Sequence, residues 1–339
     1  MSSFEEKSIF QKNFEDDSIF DLALRPQKWE DFIGQEKIKE NLKILLEAAK
    51  KRKEVPEHIL FYGPAGLGKT TLSYLIAKEL SQPIRITSGP TIEKMADLAS
   101  ILSSLNPGEI LFIDEIHRLN KNIEEVLYPA MENRVLNLVV GKGVTAKVIQ
   151  IKLSPFTLVG ATTRFALLSS PLRSRFGAIF RLDFYENEEI EKIIERSSLL
   201  LKIEIEEEGK KFLARVSRGI PRIANRLLKR VRDYAQVNNS EKITKEIIRK
   251  TLELIEIDEV GLEAADRKIL EVLIKKFNGG PVGIKTIAAA VNEEKETIEE
   301  IYEPFLMRLG FLERTPKGRM VTPAAYKHLG IKEKNLKIF

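Results

Sequence analysis

The segment Gly63-Pro64-Ala65-Gly66-Leu67-Gly68-Lys69-Thr70 fits the pattern G-x-x-x-x-G-K-[ST]. It falls between an apolar run, Ile59-Leu60-Phe61-Tyr62, and a stretch from Thr70 to Leu80 that is apolar at i, i+3 and i+4. Strand, glycine-rich turn and helix in that order is the context that gives the motif its meaning. Gly63, Gly66 and Gly68 let backbone N–H groups wrap around phosphates at the helix N-terminus, where the helix dipole favours anions. Lys69 is then placed to reach the β- and γ-phosphates of a nucleotide, and the Thr70 hydroxyl to bind Mg²⁺.

Around this segment, from about Asp31 to Tyr185, short apolar runs alternate with helical patterns. The further runs are Ile84–Ile86, Ile110–Asp114, Thr157–Gly160 and Ile179–Leu182, and Ile123–Met131 has helical spacing. Continuous apolar strands spaced by helices predict a parallel sheet covered on both faces. One stretch breaks the rhythm. Val135–Leu153 reads as two β-prone runs around Gly141-Lys142-Gly143, a hairpin inserted in an α/β domain. Its many Val, Leu and Ile residues fit either packing on the parent domain or an apolar surface that docks another protein.

The run Ile110-Leu-Phe-Ile-Asp114-Glu115 ends a strand in two acids. Beside a phosphate loop, Asp114 is suited to holding Mg²⁺ and Glu115 to polarising an attacking water as general base. Thr163, in Gly160-Ala-Thr-Thr-Arg164, ends the next strand and is placed to orient that water. A second explanation for such a threonine is a helix N-cap. Arg175, in Pro171-Leu-Arg-Ser-Arg-Phe176, is better suited to a neighbouring subunit's γ-phosphate, because Lys69 already serves its own cleft. Arg222, in Gly219-Ile-Pro-Arg222, opens a helix and is positioned to bridge to the γ-phosphate from a second domain.

Composition narrows the class. The chain has 339 residues, no cysteine and three histidines, which excludes disulfide scaffolds, thiolate nucleophiles and Cys-ligated zinc. The first 21 residues carry six acids against two lysines, the wrong charge for a signal or transit peptide. A cytoplasmic protein is expected. Residues 186–258 read as a small helical bundle. From residue 259 three helical patterns precede Phe311–Arg314 and Arg319–Thr322, the order of a winged helix. The third pattern, Glu294–Leu309, is rich in Glu and contains Pro304, which is expected to kink or interrupt it. Residues 259–304 carry 10 acids and 6 bases, whereas 305–339 carry 8 bases and 2 acids. Arg314, Lys317 and Arg319 therefore concentrate positive charge on the wing, suited to DNA phosphates and indifferent to base sequence.

Taken together, the phosphate loop, Asp-Glu, Thr-Thr, Ser-Arg-Phe and Gly-x-Pro-Arg in this order resemble the AAA+ ATPases. Three strings sharpen the likeness to the Holliday-junction branch-migration motors of that family: Asp114–Leu119, Gly219–Asp233 and Gly310–Met320. The resemblance implies an α/β P-loop AAA+ domain over residues 1–185 with the hairpin at about 135–153. It also implies a small all-α lid at 186–258 and a winged helix at 259–339. By position it implies nucleotide contacts from Leu24, Arg25, Gly66, Lys69, Thr70, Thr71, Tyr185 and Arg222, and a further one from Glu132-Asn133-Arg134. Arg175 matches the arginine finger, and Arg314 and Arg319 match DNA-contacting positions. ATP and Mg²⁺ are the implied cofactors. The implied partners are duplex DNA and the Holliday junction, a homo-hexameric ring, a RuvA-like junction-binding protein on the hairpin and a RuvC-like resolvase. Ala65, Ser174, Phe165-Ala166 and the Asn133-Arg134 pair depart from the family's usual residues. Two other classes share part of the pattern: a clamp-loader-type ATPase, and an ATP-gated winged-helix transcription regulator, which would call for a basic third helix.

Overall fold

The computed structural model describes residues 23–140 and 147–332. They form two compact units. One takes the chain up to Ile193 together with Ile220–Arg222; the other takes Ile194–Gly219 and the chain from Ile223 onward.

The first unit contains the strands β1 (Ile59–Tyr62), β2 (Ile84–Ser88), β3 (Ile110–Asp114), β4 (Val135–Val140), β5 (Lys147–Lys152), β6 (Thr157–Thr162) and β7 (Ala178–Arg181). Five of them make a sheet in the order β2-β3-β6-β1-β7, and every pairing in it is parallel. The central β6 is buried at all six positions, as an apolar run without alternation requires when both faces are covered. The edge strands are less buried, with Ile86 and Ile179 exposed. Helices α1 (Glu36–Arg52), α2 (Lys69–Glu79), α3 (Met95–Ser103) and α4 (Lys121–Asn133) accompany the sheet. Leu98 and Leu102 of α3 and Ile123, Leu127 and Met131 of α4 join Leu111, Ile113 and Leu158 of the sheet in one core. Asn120 starts α4 by accepting the Ile123 N–H on its side chain.

The inserted hairpin pairs β4 with β5 antiparallel, from Val135 opposite Lys152 to Val140 opposite Lys147. Its base belongs to the parent core, where Leu136 and Leu153 are buried and Ile151 packs beside them. Ile149 further out is 48% exposed. The turn Gly141-Lys142-Gly143 lies outside the described residues.

The expected helices are α5 (Asn187–Leu200), α6 (Glu207–Val216), α7 (Pro221–Val237) and α8 (Lys245–Leu254); α5 and α7 are each divided between the two units. A parallel pair, β8 (Glu204–Ile205) with β9 (Lys242–Ile243), is additional. Two residues are too few to show an alternating pattern, so nothing in the sequence announces them. The winged helix follows with α9 (Ala264–Phe277), α10 (Ile284–Val291), β10 (Leu312–Thr315) and β11 (Gly318–Val321). The third helical stretch is not one regular helix. Lys295–Thr297 is α-helical, Ile298–Tyr302 is a π segment and Glu303–Arg308 is α-helical again. Pro304 lacks an N–H and its ring crowds the carbonyl four residues back, and the widened π turn just before it absorbs both.

Within the second unit, Arg218 and Asp266 form a buried ion pair at 2.6 Å, with Arg218 5% exposed and Asp266 fully buried. Arg218 Nε also donates to the Gly261 carbonyl at 2.9 Å, and its guanidinium lies 4.4 Å from the centre of the Phe305 ring. His328 and Asp258 approach to 2.8 Å. The helical segment and the winged helix are therefore tied by the buried contacts of Arg218, costly to break, and by the half-buried His328–Asp258 pair.

Candidate active site

The C-terminal ends of β1, β3 and β6 bring the sequence-identified groups together, where open parallel sheets bind ligands. After β1 the chain turns through Gly63, Gly66 and Gly68, all at positive φ. Gly63 has no alternative: a Cβ there would meet the Leu182 carbonyl oxygen at 2.3 Å. The Gly63 N–H donates to the Thr162 carbonyl at 3.2 Å, joining the loop to the end of β6. Lys69 opens α2 and its side chain curls under the loop, donating to the carbonyls of Gly63 and Pro64, both at 2.8 Å. Burial lowers its pKa to about 8. Asp114 and Glu115 oppose that shift, and the nearby Arg222 cation adds to it.

Asp114 ends β3 and accepts the Glu115 N–H on Oδ1 at 2.9 Å. Glu115 itself sits at φ 47°, a left-handed conformation unusual for a residue with a side chain. The Glu115 carbonyl passes so close to Gly89 that a Cβ on that glycine would lie 2.4 Å from it. Thr163 Oγ1 donates to Glu115 Oε2 at 3.2 Å, the proximity predicted for the polar residue after β6. His117, which the sequence reading left without a role, lies 3.1 Å from the same oxygen.

A second group surrounds the loop from the other side. Tyr185 is buried and donates its hydroxyl to the Leu67 carbonyl at 3.0 Å; burial raises its pKa. A Cβ on Gly34 would strike the Tyr185 ring at 2.7 Å, and one on Gly68 would strike the Phe32 ring at 2.9 Å. Gln35 donates to the Asp183 carbonyl at 2.7 Å. Leu24 is buried, and the Arg25 guanidinium lies 4.5 Å from the ring centre of Tyr74 on α2. Arg222 meets the loop directly, its N–H 3.4 Å from the Gly66 carbonyl, with its side chain exposed. Phe32, Gly34 and Gln35 were missed by sequence reasoning. Their only signal is a glycine before an amphipathic helix, and tertiary packing gives it meaning.

Arg175 and the Glu132-Asn133-Arg134 segment form another group. Arg175 pairs with Glu132 at 3.0 Å, donates to the Pro171 carbonyl at 2.6 Å and lies 4.4 Å from the Tyr128 ring centre. Its Nε is buried without a partner among the described residues. Arg134, the left-handed residue that ends α4, covers the Phe156 ring at 4.8 Å and donates to the Phe156 carbonyl. The described partners of these residues include no phosphate-loop group.

On the wing, Arg319 is only 12% exposed and meets Glu299 at 3.1 Å and Glu303 at 3.0 Å, and Arg314 meets Glu303 at 2.8 Å. The acidic helix thus neutralises two of the three positive charges counted from the sequence. Lys317 is exposed.

Thr70 and Asp114 offer a hydroxyl and a carboxylate, the hard oxygen donors that Mg²⁺ accepts while keeping several waters. Among the described residues no cluster of three or more His, Asp or Glu side chains forms a self-sufficient metal cage.

Parallel sheet, phosphate loop, strand-end acids and an arginine-bearing lid segment define a P-loop nucleotide-binding ATPase coupled to a winged helix. Three family profiles cover the chain: "Holliday junction DNA helicase RuvB P-loop domain" matches residues 24–182, "RuvB AAA lid domain" 185–258 and "RuvB C-terminal winged helix domain" 259–330. The chain belongs to the RuvB family. It is 55% identical over 335 residues, 99% of this chain and 96% of the relative, to the Holliday junction branch migration complex subunit RuvB of Dehalococcoides mccartyi (strain CBDB1). Among solved structures it is similar to the Thermotoga maritima RuvB Holliday junction branch migration motor, with 51% identity and a TM-score of 0.84, covering 91% of this chain and 99% of that one. A point variant of that motor gives 50% identity and the same TM-score. Neither the clamp-loader nor the regulator reading is favoured by these likenesses.

Proposed function

We propose that this chain is the ATP-hydrolysing motor subunit that drives branch migration of Holliday junctions on duplex DNA. The observation that carries the chemistry is the meeting of the phosphate loop, the Asp114–Glu115 turn and Thr163 at one end of the sheet, with Arg222 on Gly66.

In this reading the loop N–H groups and Lys69 would bind the phosphates, and Thr70 and Asp114 would hold Mg²⁺, which would supply charge stabilisation at the phosphate oxygens. Thr71 completes the phosphate cradle. Glu115 accepts a proton from the attacking water, oriented with Thr163. Leu24, Arg25 and Tyr185 flank the nucleotide's base side, beside Phe32 and Gly34. Arg222 reports the γ-phosphate to the lid. The packing of Arg175 against Tyr128 and Glu132 supports a role outside its own cleft, as the finger that completes the next protomer's site in a hexamer. Glu132, Asn133 and Arg134 accompany it at that junction.

The proposed division into a P-loop domain to about residue 185, a lid to 258 and a winged-helix head beyond is supported by profile matches at 24–182, 185–258 and 259–330. The head holds duplex DNA through wing charge: Lys317 is the available contact, and Arg314 and Arg319 contribute from their paired positions. The exposed Ile149 side of the hairpin is the docking surface for a RuvA-like protein, and a RuvC-like resolvase acts on the same junctions. No helix among the described residues is long and apolar enough to cross a membrane, in keeping with a cytoplasmic setting. Glu115→Gln is expected to keep nucleotide binding and to lose turnover by at least about a hundredfold, the scale of a lost general base. Turnover near wild type in that variant would refute the assignment.

A further inference from the structure

The Asp114–Glu115 turn leads directly into a single helical turn, Ile116–Arg118. It carries His117, whose side chain is 7% exposed. Its Nδ1 stands 2.8 Å from Thr162 Oγ1 and 3.1 Å from Glu115 Oε2. Thr162 is fully buried and its Oγ1 already accepts the Arg164 N–H at 2.9 Å. One ring nitrogen either donates or accepts, so these two contacts compete for it. With a hydrogen on Nδ1 the bond goes to Thr162 Oγ1, and the same N–H draws the Glu115 carboxylate 3.1 Å away by its positive end.

From this geometry we infer that His117 is a positioning residue for hydrolysis. Its Nδ1–H, together with the Thr163 hydroxyl, clamps Oε2 of Glu115 and turns Oε1 toward the attacking water. Both described contacts of the carboxylate fall on Oε2. With that oxygen held from two sides, rotation of the carboxylate stops and one lone-pair-bearing oxygen is presented to the cleft. Such restriction is what a near-attack geometry needs. The clamp is also anchored to the phosphate loop. Thr162, which steadies the imidazole through Oγ1, accepts the Gly63 N–H on its carbonyl. Seating of phosphates in the loop and alignment of the base are thereby linked through two residues. The inference rests on Glu115 acting as the base.

Two near-isosteric variants separate the donor from the ring. Asparagine at position 117 places an N–H close to the histidine Nδ1, whereas glutamine places it close to Nε2. His117→Gln is expected to lower kcat about tenfold, the worth of one positioning hydrogen bond, with KM for ATP changed less than about twofold. His117→Asn recovers most of that loss. In a Glu115→Gln background, His117→Gln changes the residual turnover less than about twofold, because both act through one group. Wild-type kcat in His117→Gln, equal losses in the two His117 variants, or a further tenfold loss in the Glu115→Gln background would each overturn the clamp. Glu115→Gln alone tests the base: its inactivity beside an unaffected His117→Gln removes only the clamp, while an active Glu115→Gln removes the base reading itself.

Discussion

His58 is buried with both ring nitrogens used: Nδ1 accepts the Leu158 N–H at 2.9 Å, so Nε2 carries the hydrogen that reaches the Met131 carbonyl at 3.1 Å. Burial, and then the Arg134 cation, lower its pKa from 6.5 to about 4. Between those values the unfolded chain binds a proton that the folded chain refuses. The stabilisation is complete above pH 6.5 and is lost as pH falls toward 4, an effect of about 3 kcal/mol over the full range. Urea unfolding at pH 7 and pH 5 should show it, and His58→Gln should flatten the difference. Lys69 titrates where it bears on substrate. With its pKa lowered to about 8, the ammonium proposed to hold phosphate is lost as pH rises past that value. ATP affinity measured by calorimetry should therefore weaken between pH 7 and pH 9.5, with proton uptake accompanying binding near pH 8. The loop that carries Lys69 was readable from spacing alone. The contact of His117 with Glu115 was not, because residues two apart do not face each other along a helical turn, and here the left-handed backbone at Glu115 brings them together.

The wing shows why counting charges along a sequence overstates a DNA-binding surface. Arg314, Lys317 and Arg319 look alike in the sequence, yet Glu303 is 1% exposed beneath the two arginines and Lys317 stands free of that cluster. Arg319→Ala strips one cation from a buried carboxylate and is expected to destabilise the winged helix by about 3 kcal/mol, seen as a lowered Tm. Lys317→Ala should leave Tm unchanged and reduce the slope of log K for duplex DNA against log salt by about one per engaged wing. The hairpin was legible as two β-prone runs, and so was the insertion. Its division into a base packed through Leu136 and Leu153 and an outer stretch exposing Ile149 was not, since both parts have the same composition. Ile149→Asp should weaken capture of a RuvA-like partner while ATPase activity stays at the wild-type level. The π segment before Pro304 was anticipated only as a break, because sequence marks where a helix must yield and not the form the yielding takes.

The motor proposed for this chain needs its chemistry and its grip on different elements. Arg218 is four residues before Arg222. The first is locked to Asp266 of the winged helix and the second lies on Gly66 of the phosphate loop. Arg218→Ala leaves a buried carboxylate unpaired, and is expected to cost about 3–5 kcal/mol in the second unit. The shared site proposed for Arg175 makes a separate demand. Arg175→Ala and Lys69→Ala should each be inactive alone, the first with ATP binding retained and turnover lowered by about a thousandfold or more. Mixing the two should restore part of the hydrolysis, because some junctions then combine an intact loop from one protomer with an intact arginine from its neighbour. Failure to complement would place Arg175 in its own cleft.

The most direct measurement is strand exchange at a synthetic four-way junction whose homologous arms carry a short heterologous block against unpowered migration, followed in real time with a RuvA-like partner present. ATP should drive the branch point through arms of any base sequence, and Glu115→Gln assembled on the same junction should bind without moving it. Migration that proceeds equally with the Glu115→Gln protein, or none with the wild type while ATP is being consumed, would contradict a motor powered from this cleft.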